Sequence, residues 1–152
     1  MKLLYGHSEE VAAFVVKIIG LPRGFGNCKA IGVLDDDGRL ICGFVYHNWS
    51  PEAGVIEMSI ASTTRRWLTR RVMRAAFAYP FEIDCQMVVM RLSARDKRLH
   101  HQLKSCGFKP YKIPRLRGRE EDEIIFTLTD DDWKAGRFMR VKNGQAIRAV
   151  AA

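Results

Sequence analysis

The stretch 54–80, GVIEMSIASTTRRWLTRRVMRAAFAYP, constrains the fold more than any other segment of the chain. It opens with Val55-Ile56-Glu57-Met58-Ser59-Ile60, an apolar run that reads as a mostly buried strand carrying one carboxylate. Ala61-Ser62-Thr63-Thr64 follows as a small polar hinge whose hydroxyls suit the cap of a helix. Leu68, Val72, Ala75 and Tyr79 then recur at the i, i+4, i+7 spacing of a buried helical stripe. The helix is expected to stop at Tyr79-Pro80, because a proline restricts its predecessor and brings no N–H to the ladder. A strand that enters a helix through a short turn aims several unpaired peptide N–H groups at one point, which makes an anion site. Arg65, Arg66, Arg70, Arg71 and Arg74 surround that point with no acid among them. Arg66, Arg70 and Arg74 recur every fourth residue and so would line one helical face. They read either as a phosphate grip or as a solvated cationic face.

At 152 residues the chain is long enough for a single domain with its own core, and 47% hydrophobic against 28% charged residues is ordinary for a globular protein. The start, MKLLYGHSEE, shows no signal peptide, and no run approaches the roughly 20 apolar residues of a membrane helix. The expectation is a cytoplasmic protein without a membrane contact. A net charge of +8 favours anionic partners, or serves only solubility. Cys28, Cys42, Cys85 and Cys106 lack any C-x-x-C spacing and read as reduced core thiols. His100 and His101 diverge by about 100° on a helix and cannot share a metal as an i, i+4 pair could. Asp35-Asp36-Asp37-Gly38 lacks the downstream glutamate of a calcium loop and reads as a turn. No metal site is expected.

The rest of the chain alternates strands and helices. Residues 1–5 suit an edge strand. A helix starts at Ser8, with Val11, Phe14, Val15 and Ile18 at helical spacing, and Gly20 breaks it. Residues 29–34 and 40–47 flank the aspartate turn as a hairpin. Residues 85–92 are apolar on both faces, as an interior strand is. Ser93-Ala94-Arg95-Asp96 starts a helix that buries Leu99, Leu103 and Cys106, closed by Gly107 with Phe108 packing beneath it. An edge strand at 110–113, a basic loop at 115–119, a strand at 124–128 and a short helix capped by Thr129 complete a domain over 1–133. Residues 134–152 carry Lys134, Arg137, Arg140, Lys142 and Arg148 without an acid, and read as a basic tail, frayed or docked on an anionic partner.

This order of elements resembles the GNAT superfamily of acetyl-coenzyme A-dependent N-acetyltransferases. The central strand–turn–helix unit carries the resemblance first. The segment Arg91-Leu92-Ser93-Ala94-Arg95-Asp96 through Leu103-Lys104-Ser105-Cys106-Gly107-Phe108 carries it second, with its closing Gly-Phe. The ending from Arg117-Gly118 through Asp122-Glu123-Ile124-Ile125-Phe126-Thr127-Leu128 to Asp132-Trp133 is similar to the branch that acetylates ribosomal-protein N-termini. The compact size is also similar to small GNAT-like proteins of bacteriophages and prophages. The resemblance implies an α/β fold of the α+β kind: a central mixed, mainly antiparallel sheet flanked by helices and splayed between the central strand and the next. It implies acetyl-coenzyme A as co-substrate, held by Met58, Ile60, Ser62, Arg65, Arg66, Leu68, Thr69, Arg70 and Asp96. In the family's loop pattern two glycines let the backbone approach the pyrophosphate; here those positions fall on Leu68 and Arg70, where a Cβ hinders and an arginine side chain can substitute. The family's helix-start asparagine falls on Asp96, and its frequent tyrosine acid on Leu103.

Acetylation needs a neutral amine, so a base must take its proton. Glu57, starved of solvent in an apolar strand, suits that task and matches the family's glutamate base; it could equally face solvent or pair with an arginine. Tyr111 is the first candidate for an acid toward the leaving thiolate and His100 the second, and each has a structural alternative. Cys106 as an acyl carrier stands against its place on an apolar stripe. The leading expectation is acetyl transfer to a primary amine of a protein or aminoacyl group, by a monomer or homodimer. The other reading is a catalytically degenerate module that binds nucleic acid or a protein through the basic clusters at 109–119 and 134–148, with Trp67, Phe108 and Tyr111 available for stacking.

Overall fold

The computed structural model describes residues 1–138. The chain falls into two compact units, Met1–Arg91 and a second beginning at Leu92, so that the boundary lies within one strand. The described residues form seven strands and four helices, an α/β architecture with helices flanking a mixed, mainly antiparallel sheet.

In the first unit β1 (Lys2–Leu4), β2 (Lys29–Leu34), β3 (Leu40–Ser50) and β4 (Val55–Ser62) pair in sequence as antiparallel neighbours, and β5 (Met87–Ser93) joins β4 in parallel. The aspartate turn closes the β2–β3 hairpin. The Asp35 carboxylate accepts from the N–H groups of Asp37 and Arg39, both at 2.9 Å, so its charge is spent on the turn. Helix α1 (Ser8–Ile19) buries Val11, Ala12 and Val15, whereas Ile18, expected on that stripe, is exposed. α1 lies close on the sheet because Gly32 and Gly43 face each other across β2 and β3. A Cβ on Gly43 would stand 2.6 Å from Val15 Cγ2, and one on Gly32 3.0 Å from Val11 Cγ2. Two missing side chains thus set the distance between helix and sheet.

Helix α2 (Arg70–Glu82) departs from the sequence expectation at both ends. It begins at Arg70, where the Thr69 side chain accepts from the Val72 N–H at 3.2 Å. Its buried face is Val72, Met73, Ala76, Phe77 and Pro80; Leu68 precedes the helix, and Ala75 and Tyr79 are only partly buried. The helix also runs through Pro80 rather than stopping there. Proline has no N–H for the carbonyl four residues earlier, which is that of Ala76. The Tyr46 hydroxyl, reaching over from β3, donates to that carbonyl at 2.6 Å in a fully buried setting. The vacant place in the ladder is filled from the sheet.

The second unit holds α3 (Lys97–Ser105), the antiparallel pair β6 (Lys109–Ile113) and β7 (Glu123–Thr129), and α4 (Asp130–Ala135). α3 closes as expected. Gly107 sits at φ 102°, its N–H reaches Lys104 O at 3.1 Å, and the Phe108 N–H reaches Leu103 O at 3.1 Å. These paired bonds form a Schellman cap, with Phe108 buried beneath it. α4 is capped by Thr129, whose hydroxyl accepts from Asp132 N at 3.1 Å. Phe138 stacks on Trp133 with ring centroids 5.7 Å apart, so ordered packing continues past the expected start of the tail. The remainder of that basic tail, 139–152, lies outside the described residues. Cys42, Cys85 and Cys106 are buried, Cys28 is half-buried, and all four are free thiols. Among the described residues no helix is long and apolar enough to cross a membrane.

Candidate active site

β4 and β5 pair only through Val55, Ile56 and Glu57 against Met87, Val88 and Val89. Beyond that point β4 runs on to Ser62 without a ladder partner in β5. Alternate residues of a strand turn both peptide groups to the same edge, so residues 58–62 present a row of backbone donors and acceptors toward the parting. The divergence begins at Glu57, several residues before Ser62.

Glu57 stands where the two strands separate, its side chain 18% exposed. The Asn48 amide donates to its Oε2 at 2.8 Å. His47, its partner across the β3–β4 register, places Nδ1 4.0 Å from the same oxygen, while His47 Nε2 lies 2.9 Å from Ser59 Oγ. The Phe25 ring covers the imidazole at a centroid distance of 4.7 Å. Burial pushes the His47 imidazole below its ordinary value, and the Glu57 carboxylate pulls in the opposite direction. Burial prevails, and the ring is neutral at neutral pH. Sequence reading singled out Glu57 but not the neighbours the fold gives it, His47, Asn48 and Ser59. The local signal was an asparagine directly after the expected strand end at His47, a residue type suited to an irregular backbone.

The coenzyme residues implied by the family resemblance are placed as follows. Met58 is buried, side chain and peptide groups alike. Ile60 and Ser62 are partly buried, and Ser62 Oγ accepts from the Trp67 indole N–H at 2.8 Å. Trp67 is itself buried, edge-on to Phe44 at 5.5 Å, which removes it as a stacking platform for bases. Arg65 and Arg66 sit in the loop 63–69 rather than on the helix. Arg66 therefore does not share a helical face with Arg70 and Arg74, which corrects the every-fourth-residue reading. Thr63, Arg66, Leu68 and Thr69 spend their N–H groups within the fold, on Ile41 O, Thr64 Oγ1, Arg65 O and Trp67 O. The first turn of α2 contains no acid and carries Arg70 and Arg71. The Val72 and Met73 N–H groups go to Thr69 Oγ1 and Thr69 O, so it is the positive end of the helix and these side chains that suit a pyrophosphate. The parted edge and the cationic helix start fit an acetyl-coenzyme A molecule; no residue group among those described fits a metal ion.

Asp96 and Tyr111 belong to the second unit. Asp96 occupies the N-cap position of α3 without a side-chain capping bond. Tyr111 lies on β6, every residue of which is exposed. His100 is buried, with Nε2 2.8 Å from the Ser93 carbonyl and its ring against Phe126, a structural role. Cys106 is buried and its thiol is pushed up by burial, which suits the core reading rather than an acyl carrier. In and beside the basic loop 115–119 some of the cations are ion-paired within the unit. Arg117 meets Glu121 at 3.7 Å and the buried Glu123 at 3.0 Å, Lys112 meets Asp122 at 3.4 Å, and the Arg115 N–H is held by Asp122 at 2.9 Å.

No protein-family model matches the chain, and no curated protein matches it. Solved structures do. A point variant of spermidine N-acetyltransferase from Vibrio cholerae superposes with a TM-score of 0.70 at 12% identity, covering 87% of this chain and 95% of that one. A chimera of the Vibrio cholerae enzyme and hSSAT gives 0.69 at 12% identity, covering 89% and 99%. A candidate acetyltransferase from Acinetobacter baylyi ADP1 gives 0.66 at 15% identity, covering 86% and 93%. The chain has the GNAT acetyltransferase fold. Identities this low concern the fold alone; the chemistry rests on the residues described above.

Proposed function

We propose that this protein is an N-acetyltransferase that moves an acetyl group from acetyl-coenzyme A to a primary amine. The observation that carries the reading is the end of the β4–β5 ladder at Glu57, which sets a carboxylate beside an open strand edge that leads into a cationic helix start. The peptide groups of residues 58–62 and the side chains of Arg65, Arg66 and Arg70 would hold the coenzyme, with Leu68 and Thr69 shaping the loop between them. Glu57 accepts the proton that the acceptor nitrogen loses as its bond to the acetyl carbon forms and the carbon–sulfur bond breaks. An ordinary thiol pKa of about 8.5 makes the departing thiolate a competent leaving group, so a proton donor assists without being essential. The family's tyrosine position holds Leu103, so the donor we assign is Tyr111, an exposed hydroxyl on β6, and Asp96 enters as a coenzyme contact because it falls on the family's helix-start asparagine.

The acceptor we infer is a single amine on a protein or aminoacyl group. The side chains bonded to Glu57 and His47, those of Asn48 and Ser59, are neutral, which suits one amine rather than a polycation. The neighbours named for spermidine favour a second reading, a polyamine acceptor. Thiol release from acetyl-coenzyme A should be followed with peptide N-termini, an aminoacyl amide and spermidine in parallel. Glu57→Gln should lower turnover at least ~100-fold with the preferred acceptor. Turnover by this variant at the wild-type rate would remove Glu57 from the chemistry. Absence of acetyl-coenzyme A binding would end the enzyme reading altogether.

A further inference from the structure

The end of β3 is irregular where it meets Glu57. His47 pairs with Glu57 and Ser50 with Val55, so three steps along β3 match two along β4. The extra residue is a β-bulge at Asn48 and Trp49, and Asn48 adopts the left-handed conformation at φ 51°. In a regular strand consecutive side chains face opposite sides of the sheet, so His47 and Asn48 could not both approach one carboxylate. Here they do: the Asn48 amide is 2.8 Å and the His47 ring 4.0 Å from Glu57 Oε2. Asparagine is among the few residues other than glycine that accept this backbone conformation readily, and it alone of those brings two amide N–H donors.

We propose that the bulge at Asn48 is a positioning device for Glu57: it turns the Asn48 amide onto Oε2, locks the carboxylate rotamer and leaves Oε1 to receive the proton of the acceptor amine. The proposal rests on Glu57 being the base. His47 complements the device by being uncharged and held by Ser59, so that Oε2 takes a neutral donor rather than a full ion pair that would quench the base. The charged and titratable groups facing Glu57 across these contacts are His47 on β3 and Glu57 itself on β4. Asn48 touches no reacting atom and acts through the carboxylate.

Two variants separate this role from a merely structural one. Asn48→Gly keeps the left-handed backbone and removes the donor; Asn48→Asp keeps backbone and shape but sets an acceptor against Oε2. Both should lower kcat about 10- to 100-fold, the scale of one hydrogen bond to a charged group, while KM for acetyl-coenzyme A stays put. Crystal structures of the full chain should show the Glu57 carboxylate leaving its wild-type rotamer in Asn48→Gly. Wild-type kcat in both variants, with Glu57→Gln inactive, would overturn the positioning role and spare the base. A wild-type rate in Glu57→Gln would overturn the base. A carboxylate that stays in place in the Asn48→Gly crystal would overturn the positioning role even if no acceptor were turned over.

Discussion

At the scale of single residues the chemistry turns on partners that sequence spacing does not reveal. Glu57 was legible as a carboxylate inside an apolar strand, but its surroundings come from β3. His47 is the most consequential of them, because it is a buried imidazole beside a carboxylate. Burial lowers its proton affinity in the folded state, with Glu57 opposing the shift. Below the ordinary histidine value of about 6.5 an unfolded chain would therefore bind more protons at this position than the folded one. Stability must fall as pH drops through that window, and above it His47 imposes no penalty. Denaturant midpoints measured from pH 8 down to pH 5 should fall less steeply in His47→Gln, which can keep a hydrogen bond to Ser59. Parallel curves for the two proteins would exclude His47 as the source of acid sensitivity. The cysteines show the opposite case: type and context alone placed Cys42, Cys85 and Cys106 in the core, with Cys28 only half-buried, and burial pushes the Cys85 thiol up to about 11.

At the scale of elements, α2 shows how a distant residue overrides a local rule. Pro80 read as a helix stop, and by its own covalent structure it should be one. Tyr46, 30 residues away on β3, supplies the missing donor and lets the helix continue to Glu82. Tyr46→Phe should cost about 1–3 kcal/mol, because the Ala76 carbonyl is left buried and unpaired. Pro80→Ala returns an N–H to the ladder, so Tyr46→Phe should cost clearly less in that background. A double-mutant cycle by urea unfolding with no coupling between the positions would refute this account of the helix. The start of α2 teaches a related lesson. The stripe Leu68, Val72, Ala75, Tyr79 was set one or two positions off, because Trp67 turns inward onto Phe44 and Ser62, and the loop delays the helix until Thr69 can cap it.

At the scale of the whole molecule, the excess of positive charge is informative only after pairing is taken into account. In the second unit Arg117 of the basic loop is held by Glu121 and Glu123, and Lys112 beside the loop by Asp122. That local pairing removes part of the charge a nucleic-acid surface there would use. The loop 63–69 carries Arg65 and Arg66, the latter acting on the Asp36 carboxylate, and the first turn of α2 adds Arg70 and Arg71 and no acid. Coenzyme A affinity, measured by calorimetry, should weaken steeply between about 0.05 and 0.5 M salt, as expected for solvent-exposed charge pairs. The double variant Arg65→Glu, Arg66→Glu should weaken it further, and an affinity indifferent to salt would refute the phosphate grip. Acceptor choice belongs to the same scale, since it depends on which amine can reach Glu57.

Local chemistry along the chain was enough to set the order of elements, the aspartate turn, the Gly107 cap, the Thr129 cap and the carboxylate-bearing strand. Each of these depends on neighbours within a few residues, which a sequence displays directly. The gap between β4 and β5, the bulge that brings Asn48 to Glu57 and the passage of α2 through Pro80 were settled only by the folded chain. They arise from hydrogen bonds and packing between segments far apart in sequence, where strand register and close approach decide which groups meet.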